Sequence, residues 1–159
     1  MTEQEIRTIL NRQREYFATG ATLSRKFRAE QLGKLKASLQ RHEEELNAAL
    51  QQDLGKSRME SYMCEIGLTL SELTWMQKHL RGLMQEKRVP TPLSQFAAIS
   101  FRSPSPYGTV LIMSPWNYPV LLTLDPLIDA IAAGNTAVVK PSAYAPATAA
   151  VLKMILEEC

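Results

Sequence analysis

Two short apolar stretches rich in β-branched residues constrain the fold of this chain more than any other feature. Residues 107–114 (YGTVLIMS) and 136–139 (TAVV) contain few polar side chains and no apolar–polar alternation. Such stretches are typical of strands that are covered on both faces, as in a parallel sheet. About twenty residues separate them, more than the dozen or so that a parallel crossover requires. The sequence therefore predicts two parallel strands joined by a crossover.

The segment between these strands has the pattern of a helix. Its apolar residues recur every three or four positions, at Leu121, Leu124, Leu127, Ile128 and Ile131. Pro119 and Pro126 limit where the helix can begin, because proline suits a first turn and damages a helix interior. Gly134 can adopt the positive φ that commonly ends a helix. We therefore expect a β-α-β unit of an α/β fold, whose right-handed crossover leaves both strand carboxyl ends at one edge of the sheet.

Two polar side chains follow the predicted strands at that edge. Asn117 lies in a loop between two prolines, and Lys140 ends the second strand. Open α/β sheets bind ligands at the carboxyl ends of their strands, so the pair predicts a binding crevice. Two simpler interpretations remain open at this point: the Asn as a turn former, and the Lys as a solvated end of a strand.

The remainder of the chain is predominantly helical in pattern. A capping box formed by Thr2 and Glu5 predicts a first helix that stops before Gly20. Further helices are predicted over residues 22–54, 59–84 and 147–158. A methionine-rich stripe of the helix at 59–84 is expected to fill the core through Met59 and Met63. Two prolines break the pattern at residues 86–92, and residues 96–103 (FAAISFRS) predict a strand outside the parallel sheet.

Composition excludes several classes of function. The formal net charge is +2 and 45% of residues are hydrophobic, which favours a globular chain and indicates neither a nucleic-acid nor an acidic-membrane partner. The two cysteines and two histidines have no metal-ligand spacing, so no metal site and no disulfide framework is expected. The polar N-terminus and the lack of a long apolar run predict a cytoplasmic protein without a membrane segment.

Two strings, in this order and at this spacing, resemble the aldehyde dehydrogenase superfamily. They are GTVLIMSPWNYP from Gly108 and AAGNTAVVKPS from Ala132. The PWNYP form and the upstream helices resemble the class 3 branch, which favours medium-chain, long-chain or aromatic aldehydes. The resemblance runs from about Leu23 to the end of the chain. It implies an incomplete aldehyde dehydrogenase-like fold of N-terminal helices and the first β-α-β of a Rossmann-like parallel sheet.

The resemblance also implies a division of the chain. Residues 1–85 would be the helical N-terminal part of the cofactor-binding domain, and residues 86–106 a linker with a bridging or oligomerisation strand. Residues 107–159 would begin the dinucleotide-binding domain. In the full-length enzyme the family implies a homodimer.

Catalytic and substrate roles follow from the matching positions. Asn117 matches the asparagine whose side-chain amide donates to the oxyanion formed when a cysteine thiolate attacks the aldehyde. An amide suits this role because it donates a hydrogen bond without titrating. Tyr118 matches an aromatic residue that lines the aldehyde entrance, so a small-molecule aldehyde is the expected substrate.

The resemblance further implies a nucleotide cofactor, NAD or NADP. Lys140 matches a lysine that hydrogen-bonds the adenosine ribose, and Ser142 and Ala143 follow it in the same segment. The strand end and loop that lie against the cofactor are matched by Met113, Ser114, Pro115 and Trp116. Many relatives have a glutamate where this chain has Ala143, and a carboxylate there would repel a 2′-phosphate. We therefore expect NADP to be accepted as well as NAD.

Three parts of the family's machinery lie further along the chain than this sequence extends. They are the nucleophilic cysteine, the general-base glutamate and the turn that faces the pyrophosphate; Cys159 comes too early to be the nucleophile. We therefore expect the N-terminal part of a longer enzyme that is inactive by itself. A catalytically inactive dinucleotide-binding module and an interaction module remain the alternatives.

Overall fold

The computed structural model describes residues 2–159, which form seven α-helices and four strands. In chain order these are α1 (Glu3–Ala18), α2 (Arg25–Arg41), α3 (Glu43–Leu54), α4 (Arg58–Ser61), α5 (Gly67–Leu83), β1 (Lys87–Val89), β2 (Ser100–Arg102), β3 (Thr109–Met113), α6 (Leu121–Ala133), β4 (Thr136–Lys140) and α7 (Pro146–Glu157). None of the described helices is both long and apolar enough to cross a bilayer.

The first helices largely follow the predicted pattern. The capping box of α1 is present: Glu5 N donates to Thr2 Oγ1 at 3.3 Å, and Thr2 N donates to Glu5 Oε2 at 2.6 Å. The single helix predicted over residues 22–54 is wrong, because the chain breaks at His42 into α2 and α3. Leu39 and Leu46 are both fully buried on either side of the break, so the apolar spacing did not reveal it.

The predicted third helix is continuous but contains a π turn at Tyr62–Ile66, between α4 and α5. A π turn inserts one extra residue, which rotates the preceding turn relative to the rest of the helix. The prediction that Met59 and Met63 fill the core is wrong for this reason: they are 70% and 62% exposed. Ser61 and Glu65 occupy the buried face in their place.

Strands β1 and β2 form an antiparallel pair of their own, apart from β3 and β4. The strand predicted over residues 96–103 is shorter than expected and begins only at Ser100. Before it lies a 3₁₀ turn at Leu93–Gln95, and Ala97 adopts a φ of 75°, in the left-handed region. The backbone therefore turns over residues where an extended strand was expected.

The predicted β-α-β unit is confirmed. β3 and β4 pair in parallel from Thr109 opposite Thr136 to Met113 opposite Lys140, and α6 crosses between them. Gly134 ends α6 with a φ of 89°, as predicted. Pro126 lies inside α6 rather than at its start, so the limit inferred from that residue is wrong.

One core unites the helices with the β-α-β unit. Buried side chains of α2, α3 and α5 pack with those of α6 and α7, centred on Leu32, Leu50, Leu73, Leu124, Ile128 and Leu152. The β3 strand contributes Ile112, whereas Leu111 and Met113 are exposed. Because alternate residues of a strand share a face, the expectation that β3 is covered on both faces is wrong for the described residues.

Candidate functional site

The carboxyl ends of β3 and β4 meet at one edge of the sheet. Met113 pairs with Lys140, and Ser114 N donates to the Lys140 carbonyl oxygen at 3.2 Å. Asn117 follows three residues after Ser114, and Lys140 is exposed at the end of its strand. The prediction that Asn117 and Lys140 follow neighbouring strands at the same edge is confirmed.

The loop after β3, residues 114–120, has anchored ends and an exposed centre. Ser114 and Val120 are buried, and so is the second proline of the PWNYP motif. Between them lie four exposed residues that the resemblance assigned to the site: Pro115, Trp116, Asn117 and Tyr118. The loop thus presents an amide and two aromatic rings to the surface of the chain.

A buried hydroxyl pair anchors the first part of this loop. Thr123 Oγ1, on the first turn of α6, lies 2.6 Å from Ser114 Oγ and 2.5 Å from the Pro119 carbonyl oxygen. Thr123 is fully buried and Ser114 nearly so. Polar groups of this kind are costly to bury unless they are paired, so these bonds favour a single loop conformation.

A buried ion pair from the N-terminal helices reaches the second part of the loop. Lys56 Nζ lies 2.6 Å from Glu65 Oε1, with the side chains 9% and 0% exposed. The same ammonium donates to the Asn117 carbonyl oxygen at 2.9 Å. The other Glu65 oxygen accepts from Val120 N at 2.7 Å. Two charged residues therefore hold the backbone at the Asn117–Tyr118 peptide and at the start of α6.

The segment after β4 is held differently. Ser142 is buried and its hydroxyl accepts from Tyr144 N at 3.2 Å, while Ala143 is exposed. Helix α7 then starts with Pro146 and takes its cap from a distant side chain. Asp53, at the end of α3, accepts from Ala147 N at 3.2 Å and from Thr148 N at 2.7 Å. This segment is a local turn followed by a helix capped from α3.

The helix that joins the two segments carries two carboxyl groups with shifted pKa values, Asp125 and Asp129. Burial is the main cause that raises the pKa of Asp125 to about 6, and the negative charges of Glu72 and Asp129 add to it. Burial also raises the pKa of Asp129. At the other end of α6, burial lowers the pKa of Arg28, whose Nη1 donates to the Ala132 carbonyl oxygen at 3.0 Å. A cation there complements the carboxyl end of the helix dipole.

Among residues 2–159, no group of three or more His, Cys, Asp or Glu side chains is placed to hold a metal ion. The exposed groups at the sheet edge comprise an amide, an ammonium and aromatic rings.

Sequence reasoning missed the residues that support the site: Lys56, Glu65, Thr123 and Asp53. One signal was available for Glu65, which falls at helical spacing with the buried residues Thr69, Leu73, Met76 and Leu80. An acidic residue on a buried stripe requires a partner. No local pattern indicates that the partner is Lys56.

Comparisons with known proteins identify the family of this chain. The sequence profile of the aldehyde dehydrogenase family matches residues 1–159. A 4,4'-diaponeurosporen-aldehyde dehydrogenase of Staphylococcus aureus is 45% identical over 143 residues, which are 90% of this chain and 31% of that protein. Human aldehyde dehydrogenase family 3 member B1 is 42% identical over 149 residues, 94% of this chain and 32% of that protein.

Solved structures lead to the same conclusion. A substrate-bound state of Staphylococcus aureus AldH superposes with a TM-score of 0.94 at 42% identity, over 96% of this chain and 33% of that one. The chain thus spans about a third of the length of the relatives it matches. On its motifs, its fold and its sequence, this chain belongs to the aldehyde dehydrogenase family.

Proposed function

We propose that this chain acts within a longer NAD(P)-dependent enzyme that oxidises aldehydes to carboxylic acids, and that it supplies an oxyanion donor and part of the adenosine site. The observation that carries the proposal is the placement of Asn117. Its side chain is exposed beside the carboxyl end of β3, while its backbone is held by a buried ammonium. An exposed polar side chain on a fixed backbone is suited to bind a ligand rather than to complete a turn.

The proposed chemistry requires such a donor. Attack of a cysteine thiolate, from a part of the protein outside this chain, on an aldehyde carbonyl leaves negative charge on the former carbonyl oxygen. The Asn117 Nδ2 amide would donate a hydrogen bond to that oxygen. A donor that is already in position costs no reorganisation when the charge develops, so it stabilises the transition state more than the ground state.

The cofactor part of the proposal rests on the same sheet edge. Lys140 would donate to the adenosine ribose, with Ser142 and Ala143 beside it. The strand end and loop that would lie against the dinucleotide comprise Met113, Ser114, Pro115 and Trp116. When bound, a nicotinamide dinucleotide would supply the electron acceptor for the oxidation. Exposed Ala143 carries no carboxylate to repel a 2′-phosphate, so we propose that NADP is accepted beside NAD.

The proposed substrate is a small-molecule aldehyde with a medium-length, long or aromatic apolar part. The side chains of Trp116 and Tyr118 are exposed next to Asn117 and offer an apolar approach to it. Two relatives are named as dehydrogenases of an aldehyde and of a dial: the Staphylococcus aureus protein above and a 4,4'-diapolycopene-4,4'-dial dehydrogenase of Cytobacillus firmus, 40% identical. We further propose that the full-length protein is cytoplasmic and forms a homodimer. The β1–β2 pair, with exposed Phe101, would contribute to the dimer contact.

Replacing the amide tests the proposal in the full-length protein. Asn117→Ala should lower kcat for aldehyde oxidation by about 100- to 1,000-fold, because one preorganised donor is lost. Cofactor affinity, measured by fluorescence titration, should stay within about twofold of that of the unaltered protein. The removed contact is one made in the transition state and does not contribute to cofactor binding. Lys140→Met is the paired control and should raise the KM for the cofactor with little change in kcat. An Asn117→Ala protein with unchanged kcat would refute the assigned role.

A further inference from the structure

The Lys56 ammonium contacts three groups in one small region. Its Nζ donates to Glu65 Oε1 at 2.6 Å and to the Asn117 carbonyl oxygen at 2.9 Å. It also lies 4.2 Å from the centroid of the Tyr118 ring. An ammonium has three N–H donors, and here a carboxylate, a carbonyl and the face of a ring surround it. Two of these three partners belong to the loop that carries the proposed oxyanion donor.

Glu65 holds the other end of the same peptide stretch. Its Oε2 accepts from Val120 N at 2.7 Å and from Leu121 N at 3.3 Å. These are among the first N–H groups of α6, which lack partners within the helix, and Val120 has no capping side chain of its own. The carboxylate therefore acts as a cap supplied by another helix.

The two contacts lie at Asn117 and shortly after it in the chain. Lys56 fixes the carbonyl of Asn117 itself, and Glu65 fixes the amides three and four residues later. The Asn117 side chain takes no part in these bonds and is exposed. The Lys56 and Glu65 contacts therefore restrain the backbone from which the Asn117 amide projects and leave that amide free to bind a ligand.

Glu65 lies within an unusual helical turn. The π turn at Tyr62–Ile66 closes through Gly67 N, which donates to the Tyr62 carbonyl oxygen. A Cβ on Gly67 would lie 2.8 Å from that oxygen, so the turn needs glycine at this position. Glu65 keeps regular helical spacing with buried Thr69, and the extra residue of the turn rotates the preceding residues so that Ser61 lies on the same buried face.

Stability alone does not account for this pair. Replacing a buried ion pair by apolar side chains of similar volume is often neutral or stabilising. The geometry points to a different use: we infer that Lys56 and Glu65 are positioning residues that hold Asn117 in the orientation required of an oxyanion donor. The inference rests on the proposed function, because it assigns the pair an effect on catalysis that acts through Asn117.

A double-mutant cycle in the full-length protein tests this inference. Lys56→Met keeps the apolar stem and removes the ammonium. It should lower kcat by about 10- to 100-fold, since small displacements of a catalytic group have effects of this size. In an Asn117→Ala background the same substitution should change kcat by less than about threefold, because the group that it positions is already absent. Dissociation constants for the cofactor should remain unchanged throughout.

Two further variants separate positioning from folding. Lys56→Met combined with Glu65→Gln leaves no unpaired buried charge, so this double variant should unfold at a higher temperature than Lys56→Met while its kcat stays low. It also replaces the single variant if that one does not fold. Lys36→Met is the matched control: this half-buried lysine donates to Thr74 Oγ1 at 2.8 Å, between α2 and α5, and its loss should leave kcat unchanged.

Two results would overturn the inference. One is recovery of full kcat in the Lys56→Met/Glu65→Gln protein, which would make the pair a folding element only. The other is a loss from Lys56→Met that is as large in the Asn117→Ala background as in the unaltered protein. Failure of the proposed function gives a different result, because Asn117→Ala alone would then leave kcat unchanged.

Discussion

The segments that follow β3 and β4 lie at the same edge of the sheet but are held in different ways. The loop around Asn117 is fixed by a buried ammonium and a buried carboxylate that precede it by 61 and 55 residues in the chain. The segment around Lys140 forms a short turn on the Ser142 hydroxyl, and only the start of α7 beyond it is bound by a distant side chain, Asp53.

This difference matches the roles proposed for the two segments. A donor to a developing oxyanion must be in place before the charge appears, because reorganisation during the reaction would raise the barrier. A contact to a cofactor ribose contributes to binding and tolerates adjustment of its segment when the ligand arrives. The rigid support is therefore found under the residue whose geometry would control the rate.

The largest effect is expected when the charge balance under the Asn117 loop is broken. Glu65→Gln leaves Lys56 buried without a carboxylate, which should lower the free energy of unfolding by about 3–5 kcal/mol. Urea denaturation of the full-length protein measures this change. The matched control is Glu44→Gln, which removes an exposed partner of Arg58 and should cost no more than about 1 kcal/mol. Equal losses in the two variants would show that the buried pair has no special role.

A smaller effect is expected on the Lys140 side of the comparison. Asp53→Ala removes the cap from α7 and should lower the free energy of unfolding by about 0.5–2 kcal/mol, the usual range for an N-cap. Because α7 supports the cofactor side, kcat at saturating cofactor should not change. The free energy of unfolding of Asp53→Asn, which keeps one acceptor oxygen, should lie between the values for the unaltered protein and for Asp53→Ala. A fall in kcat as large as that from Lys56→Met would remove the distinction between the segments.

The smallest effect concerns the choice of cofactor at Ala143. Ala143→Glu should lower kcat/KM for NADP by about tenfold, since a charge within several ångströms of the 2′-phosphate costs on the order of 1 kcal/mol in a hydrated site. The value for NAD should be unaffected, and Ala143→Gln controls for side-chain size. Steady-state kinetics of the unaltered protein supply the reference. An NADP efficiency a thousandfold below that for NAD would already contradict the argument from Ala143.

Local sequence patterns predicted the elements that depend on a few neighbouring residues. The apolar runs gave β3 and β4, the helical spacing gave α6, and Gly134 marked its end, because each of these signals is local. The same patterns failed at the break at His42 and at the π turn, where the period of the side chains continues through an irregular backbone. They also failed for Phe96, which lies before the short strand β2 and is exposed.

The support of the candidate site could not be predicted, since it joins residues far apart in the chain. In its local sequence, Lys56 is a charged residue that follows a helix-ending glycine. Glu65 is one of several acidic residues in a predicted helix. Their burial and pairing arise only when the N-terminal helices pack against α6. Asp53 likewise becomes a cap only because α3 ends beside the start of α7.

The sequence by itself determined that an amide and an ammonium follow neighbouring parallel strands, because strand composition and crossover length encode this topology locally. Only the tertiary structure decided which of the two would be rigidly supported. Opposite charges can be buried where several helices enclose them together, and that enclosure depends on packing between segments that no local pattern relates.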